Sequence, residues 1–172
     1  IRREDVDTGA VIITGETSRK ENAAAVLDAL SELAGDFVVA TAGPDLESIL
    51  AAKGAGAEAY SAETGKTVLH MDIGGGTSNL CLIEDGEILA TGCLNVGGRL
   101  LKLDEKGVIT YRSPVLEGLT DLQVGMRPTG EQLKQLADML AAALEMAAGL
   151  REPTEILCKL KEQGITVVMV SH

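Results

Sequence analysis

Apolar residues follow two patterns along this chain. Short continuous runs mark strands, and longer stretches recurring every three to four positions mark helices. Val11, Ile12 and Ile13 predict a strand that stops at Thr14 and Gly15. Ala23, Val26, Leu27, Leu30, Leu33 and Ala34 then recur at helical spacing as far as Gly35. A second pair follows: residues 37–40 predict a strand, and Pro44, after the turn Thr41-Ala42-Gly43, opens a helix through Ile49 and Leu50. Strands and helices alternating at these lengths predict parallel pairing by right-handed crossovers, hence an α/β fold. Lys53-Gly54-Ala55-Gly56-Ala57 breaks the pattern.

The period then changes. Val68, Leu69, Met71 and Ile73 form an apolar run between Lys66 and a glycine cluster, which predicts a strand buried on both faces. Leu80, Leu82 and Ile83 predict another strand and Glu84-Asp85-Gly86 a hairpin turn. Weak alternation over residues 87–96 predicts a third strand, which runs into Gly97 and Gly98. Asp104-Glu105-Lys106-Gly107 is a turn before a strand at 108–111, and 116–128, with Gly118, Gly125 and Pro128, predicts an exposed connection. Thr129 and Gln132 have the spacing of a capping box. The helix they open carries Leu133, Leu136, Ala137, Leu140, Ala141, Leu144 and Ala148 on one face, which predicts core packing, and it stops near Gly149. A short helix and a buried strand at 165–170 follow.

Composition narrows the function. The 172 residues suffice for one core, or for one domain and part of a second, and the lack of an initial Met suggests a fragment or a trimmed chain. A net charge of -11 argues against nucleic acid, which needs a basic stripe, and Phe37, Tyr60 and Tyr111 are too few for base stacking. Cys81, Cys93 and Cys158 are odd in number and sit in apolar runs, so they read as reduced core cysteines of a cytosolic protein rather than metal ligands. Neither a membrane-length apolar run nor a signal-peptide pattern occurs, which predicts a soluble intracellular protein without membrane contact.

The candidate chemistry lies in TVLHMDIGGGTSN, residues 67–79. Asp72 closes a strand, and Gly74, Gly75 and Gly76 let the backbone turn sharply and approach a ligand. Their N–H groups, with the hydroxyls of Thr77 and Ser78, suit a phosphate, and a carboxylate at the strand end suits water-mediated magnesium. The same three glycines also suit a tight hairpin with no ligand. The dinucleotide fingerprint and the G-x-x-x-x-G-K-[ST] loop are both absent. His70, two residues before Asp72 on the same face, reads as a satisfied core histidine rather than a base, and Arg99, which could reach a phosphate, as a solvated surface arginine.

Strand, Asp72-Ile73-Gly74-Gly75-Gly76-Thr77, strand, Asp-Gly turn, strand and Gly97-Gly98 together resemble the second phosphate motif of the actin-like and Hsp70-like ATPase superfamily. MDIGGGTSNLCLIEDGEILATGCLNVGGRLL, with DVDTGAVIITGETSRKENA and FVVATAGPDLESILAAKGAGA upstream, is similar to the ethanolamine ammonia-lyase reactivating factor family, EutA type, over roughly residues 5–149. The resemblance implies an actin-like ATPase fold, ribonuclease H-like, with a mixed sheet and a hairpin phosphate turn. Residues 1–62 would end a first actin-like domain, and 63–172 would form the core of a second. It implies that ATP is used to exchange damaged cobalamin out of the lyase, the partner, in the cytoplasm or with a bacterial microcompartment. Gly74, Gly75, Gly76 and Thr77 would hold the phosphates of ATP or ADP, Gly97 and Gly98 would lie beside them, and Asp72 would be the catalytic residue that holds hydrated magnesium.

The chain departs from the superfamily pattern by lacking an N-terminal Asp-x-Gly-Thr phosphate strand and a C-terminal Gly-Gly adenosine motif. Weak ATP binding and little turnover are the expectation for this chain alone. A non-catalytic actin-like scaffold is the alternative, with a sugar or acetate kinase-like phosphotransferase a further one, and an open face would promote self-association. From Arg151 the likeness fades. Glu152 and GITVVMVSH ending at His172 faintly resemble the end of an ABC transporter ATPase, but Arg151 replaces the expected Asp and the phosphate loop is missing.

Overall fold

The computed structural model describes residues 43–160 throughout and, before them, 10–13, 22, 25, 26, 29 and 38–41. β1 (Ala10–Ile13) pairs in parallel with β2 (Val38–Thr41), Ala10 opposite Val38 and Ile13 opposite Thr41. This is the pairing expected from the alternation of elements. Most of the helix expected over residues 23–34 lies outside the described residues, as do the strand expected at 165–170 and His172.

Pro44 opens α1 (Pro44–Gly54), where its missing N–H removes a donor that would have no helical partner. Asp45 and Glu47 in the first turn and Lys53 in the last complement the helix dipole. The glycines that follow do not end helical structure. Gly56 takes φ 75°, and α2 (Ala57–Thr64) begins at once, to be stopped by Gly65 at φ 63°. Residues 60–66, where a domain boundary was expected, take in the end of α2 and the turn into the next strand.

β3 (Val68–Ile73), β4 (Ser78–Glu84) and β5 (Glu87–Leu94) form an antiparallel sheet in chain order. Asp85 and Gly86 turn β4 into β5 with φ of 49° and 80°, the left-handed pair whose twist suits a two-residue hairpin. The expectation that β3 is buried on both faces is corrected: Leu69 is 37% and Ile73 54% exposed. Among the described residues β3 is an edge strand, paired on one side, and β4 between its two neighbours is the buried one.

Opposed residues in antiparallel strands share a face. Val68, Cys81, Ile83 and Ile88 accordingly gather around Ala52 and Ala57 of α1 and α2. On the other face Met71, Leu80 and Leu94 meet α3 (Gly130–Ala147) and α4 (Glu155–Leu160), with Ala142, Ala143, Met146, Leu157 and Leu160 in the core. The sheet is thus a middle layer between two helical layers.

β6 (Leu101–Leu103) and β7 (Ile109–Arg112) form a second hairpin beside a smaller core of Leu100, Ile109, Leu116, Leu122 and Leu136. Here the expectation of an exposed connection over 116–128 is corrected: the segment is irregular, yet Leu116 and Leu122 are 0% and 2% exposed and anchor it. α3 is capped as expected, since the Gln132 N–H donates to Thr129 Oγ1 at 3.2 Å and the Thr129 N–H to Gln132 Oε1 at 2.9 Å. It ends in a Schellman motif, with Gly149 at φ 73° and Leu150 N–H on the Glu145 carbonyl. The expected core face is corrected in part. Leu133, Ala137, Leu140, Ala141 and Leu144 border an open cavity of about 360 Å³ with Ile73, Gly97 and Gly98. The helix meets the sheet through its later small residues, which leaves the leucine stripe at the rim. Cys158 is exposed, contrary to expectation, because α4 buries Leu157 and Leu160 and Cys158 lies off that stripe.

Candidate functional site

After β3 the chain reverses through Gly74, Gly75, Gly76 and Thr77. The Gly74 N–H donates to the Thr77 carbonyl at 2.8 Å, so the glycines do make a tight hairpin. The N–H groups of Gly75, Gly76 and Thr77 find no acceptor among the described residues, and all three residues are half-buried. Successive unspent amides around one turn form a concavity that accepts an anion.

A second strand of chain supports this turn. Past β5, the Gly98 N–H donates to the Gly74 carbonyl at 3.0 Å and the Arg99 N–H to the Gly75 carbonyl at 2.7 Å. The approach is so close that a Cβ on Gly97 would stand 2.5 Å from the Gly75 carbonyl carbon and oxygen. Gly97 is therefore required by packing, and the structure brings Gly97 and Gly98 against Gly74, Gly75 and Gly76. Ser78 ties the two segments together by donating to the Val96 carbonyl at 2.7 Å. That corrects the expectation that its hydroxyl faces an anion: Ser78 is fully buried and its proton is spent on the backbone.

Asp72 is exposed and joins no ion pair among the described residues. Directly opposite it on β4 stands Asn79, 3% exposed, whose Oδ1 is buried without a hydrogen-bond partner. A buried acceptor left unpaired costs about 1–3 kcal/mol, so it marks a place where a donor is wanting. The sequence reading missed Asn79, although its place two residues past the turn, opposite Asp72 in a two-residue period, was the available signal. His70 lies next along this face, opposite Cys81, half-buried and with Nδ1 unpartnered. It is not the satisfied core histidine expected. Burial, and after it the charge of Glu58, pushes the Cys81 thiol pKa up, so Cys81 stays protonated at neutral pH. Among the described residues no three His, Cys, Asp or Glu side chains group to hold a metal.

Arg99, read from the sequence as a solvated surface arginine, is exposed but lies against this turn. Its guanidinium lies over Gly75, with Nε 2.8 Å and Nη2 3.0 Å from the point a Cβ there would occupy. A side chain at residue 75 would have to displace it.

The family profile described as "Ethanolamine utilisation protein EutA" matches residues 1–167, so the likeness continues past Arg151, where the sequence reading expected it to fade. The chain is 44% identical over 159 residues to the ethanolamine ammonia-lyase reactivase EutA of Escherichia coli (strain K12), covering 89% of this chain and 34% of that protein. It is 53% identical over 111 residues to the reactivase of the same name from Salmonella typhimurium LT2, covering 64% and 24%. The chain thus spans about a third or less of the length of these relatives. Among solved structures, the Aquifex aeolicus member of the Ppx/GppA protein family matches with a TM-score of 0.50 at 20% identity, over 83% of this chain and 39% of that one. The α/β fold expected from the sequence is the fold observed, and it is shared with that structure. A profile match over nearly the whole length, joined to these identities, means that this chain belongs to the EutA family of ethanolamine utilisation proteins.

Proposed function

We propose that this chain is the nucleotide-gripping part of an ATP-driven reactivase for adenosylcobalamin-dependent ethanolamine ammonia-lyase. One observation carries the nucleotide part: the unspent amides of Gly75, Gly76 and Thr77 next to the exposed carboxylate of Asp72. Membership in a family whose relatives are named reactivases of that enzyme supports the lyase as partner and a cytoplasmic setting.

In this reading the three amides and the Thr77 hydroxyl donate to β- and γ-phosphate oxygens of ATP, where fixed dipoles stabilise charge without reorganising. Gly97 and Gly98 act from below, holding the amides in place. Asp72 would hold magnesium through water, and the ion would supply positive charge against the phosphates when bound. The donor set fits such an ion held through water. Asp72 is open to solvent and carries its charge unpaired, while Asn79 Oδ1 on the same face lacks a donor that a coordinated water would supply. A site built only of protein ligands does not fit, given the absence of any three-residue acidic, His or Cys group among the described residues.

The division into 1–62 and 63–172 belongs to the same proposal. α2 would link the domains while staying docked on the sheet, since Ser61 Oγ accepts from the Gly86 N–H and donates to the Lys66 carbonyl. Nucleotide hydrolysis would then open and close a hinge. A scaffold without nucleotide is the second reading, favoured by the apolar opening along α3.

Calorimetric titration of Mg·ATP, with and without magnesium, separates the two. Saturable, magnesium-dependent binding is expected, with Asp72→Ala abolishing the magnesium dependence at an unchanged melting temperature. No saturable binding by the wild-type chain would sink the nucleotide reading.

A further inference from the structure

Arg99 has a fixed place and an unused charge. Its backbone N–H is held on the Gly75 carbonyl at 2.7 Å, and the neighbouring Gly98 N–H on Gly74 at 3.0 Å, so residue 99 cannot leave the turn without breaking both bonds. The side chain folds back across Gly75, and its guanidinium lies against this residue, whose amide and the next two are open. The described ion pairs join Lys53 to Glu58, Arg112 to Glu117, Lys134 to Asp138 and Arg151 to Glu145. Arg99 is in none of them, although the chain carries 26 acidic residues against 15 basic ones. An arginine that could choose among so many carboxylates and instead lies on a glycine turn is placed by that turn.

The geometry points to Arg99 as a phosphate-binding residue: with the amides of Gly75, Gly76 and Thr77 it completes a cradle for a polyphosphate chain. This rests on the nucleotide reading above and goes beyond it, because it names the phosphate chain rather than the nucleoside as what the site recognises. The guanidinium offers paired N–H donors in one plane, matched to two oxygens of a phosphate, and amides alone supply no net charge. Gly75 then has two duties, presenting its own N–H and leaving its Cβ position to Arg99.

The test compares the wild-type chain with Arg99→Ala and Arg99→Gln, titrating Mg·ATP and, separately, magnesium tripolyphosphate, which has no nucleoside. Charge-assisted bonds of this kind are worth about tenfold or more in affinity, so both variants should lose that factor for both ligands. The Arg99→Gln change keeps most of the side chain's length and guards against loss of packing, and the thermal unfolding of both variants should match wild type. If wild type binds and both variants bind as tightly, Arg99 plays no part and the nucleotide reading stands. A loss for Mg·ATP without a loss for tripolyphosphate also overturns the proposal, since the effect would then reach the nucleoside. If the wild-type chain binds neither ligand, the nucleotide reading fails and this proposal with it.

Discussion

At the scale of single residues, the turn separates glycines that are needed from one that is not. A Cβ on Gly97 would meet the Gly75 carbonyl at 2.5 Å and the Gly76 nitrogen at 2.6 Å, and backbone cannot step aside as a side chain can. Gly76 has nothing within 4 Å of its Cβ position. Gly97→Ala should therefore cost about 1–3 kcal/mol of unfolding free energy, while Gly76→Ala should stay within about 0.5 kcal/mol, both read by urea denaturation. Equal effects would mean that the two segments are not packed as observed. Cys81 gives a second residue-level expectation. Burial, then Glu58, raises its thiol pKa above the ordinary 9.0, so between the unfolded and folded values the folded chain holds a proton that the unfolded chain has lost. Stability from this group is full below the unfolded pKa and declines as pH rises through the folded one. The urea midpoint should fall above about pH 9, and Cys81→Ala should flatten that fall; an unchanged slope would remove Cys81 as its source.

Among elements, the β4–β5 hairpin and α2 hold each other. Gly86 sits at φ 80°, and a Cβ there would stand 2.7 Å from the Ala62 Cβ of α2, beside the bond from Gly86 N–H to Ser61 Oγ. Gly86→Ala combines left-handed strain with a clash, and a loss of more than about 1 kcal/mol is expected, with amide exchange quickening across Ala57–Thr64 as well as in the hairpin. Protection lost in the hairpin alone would show that α2 folds without it. The elements legible in the sequence were those whose signals are local: Pro44 opening α1, Asp85-Gly86 turning the hairpin, Thr129 with Gln132 capping α3. What was not legible depends on neighbours far along the chain. α2 hid behind Gly54 and Gly56, which read as a break because local pattern cannot say that a left-handed glycine starts a new helix. The burial of β3 was misjudged because an edge strand and a central strand share one apolar pattern. In the site, Asp72 and the glycines were legible from their order, whereas Asn79, and the placing of Arg99 over Gly75 rather than in solvent, emerge only once strand register and the docking of Gly97 and Gly98 are fixed.

For the whole molecule, the question is how a chain with net charge -11 would hold a polyanion at all. Two forces compete, and they differ in range. The amides and Arg99 act over contact distances of about 3 Å, shorter than any Debye length in a working buffer. The surplus of acidic residues repels from all over the surface. Taken as a lump of -11 about 20 Å from a ligand carrying roughly two negative charges, it opposes binding by about 4–5 kcal/mol in water before screening. Salt at about 0.15 M, with a Debye length near 8 Å, removes most of that long-range repulsion, while the contacts at the turn lose far less. Affinity for Mg·ATP should therefore rise between about 20 and 150 mM KCl, with magnesium kept saturating, and the association rate should rise with it. This slope is opposite to that of proteins whose many cations release counterions from a phosphate backbone. A steep fall in affinity over the same range, measured by calorimetry, would show that exposed cations rather than neutral amides dominate the grip.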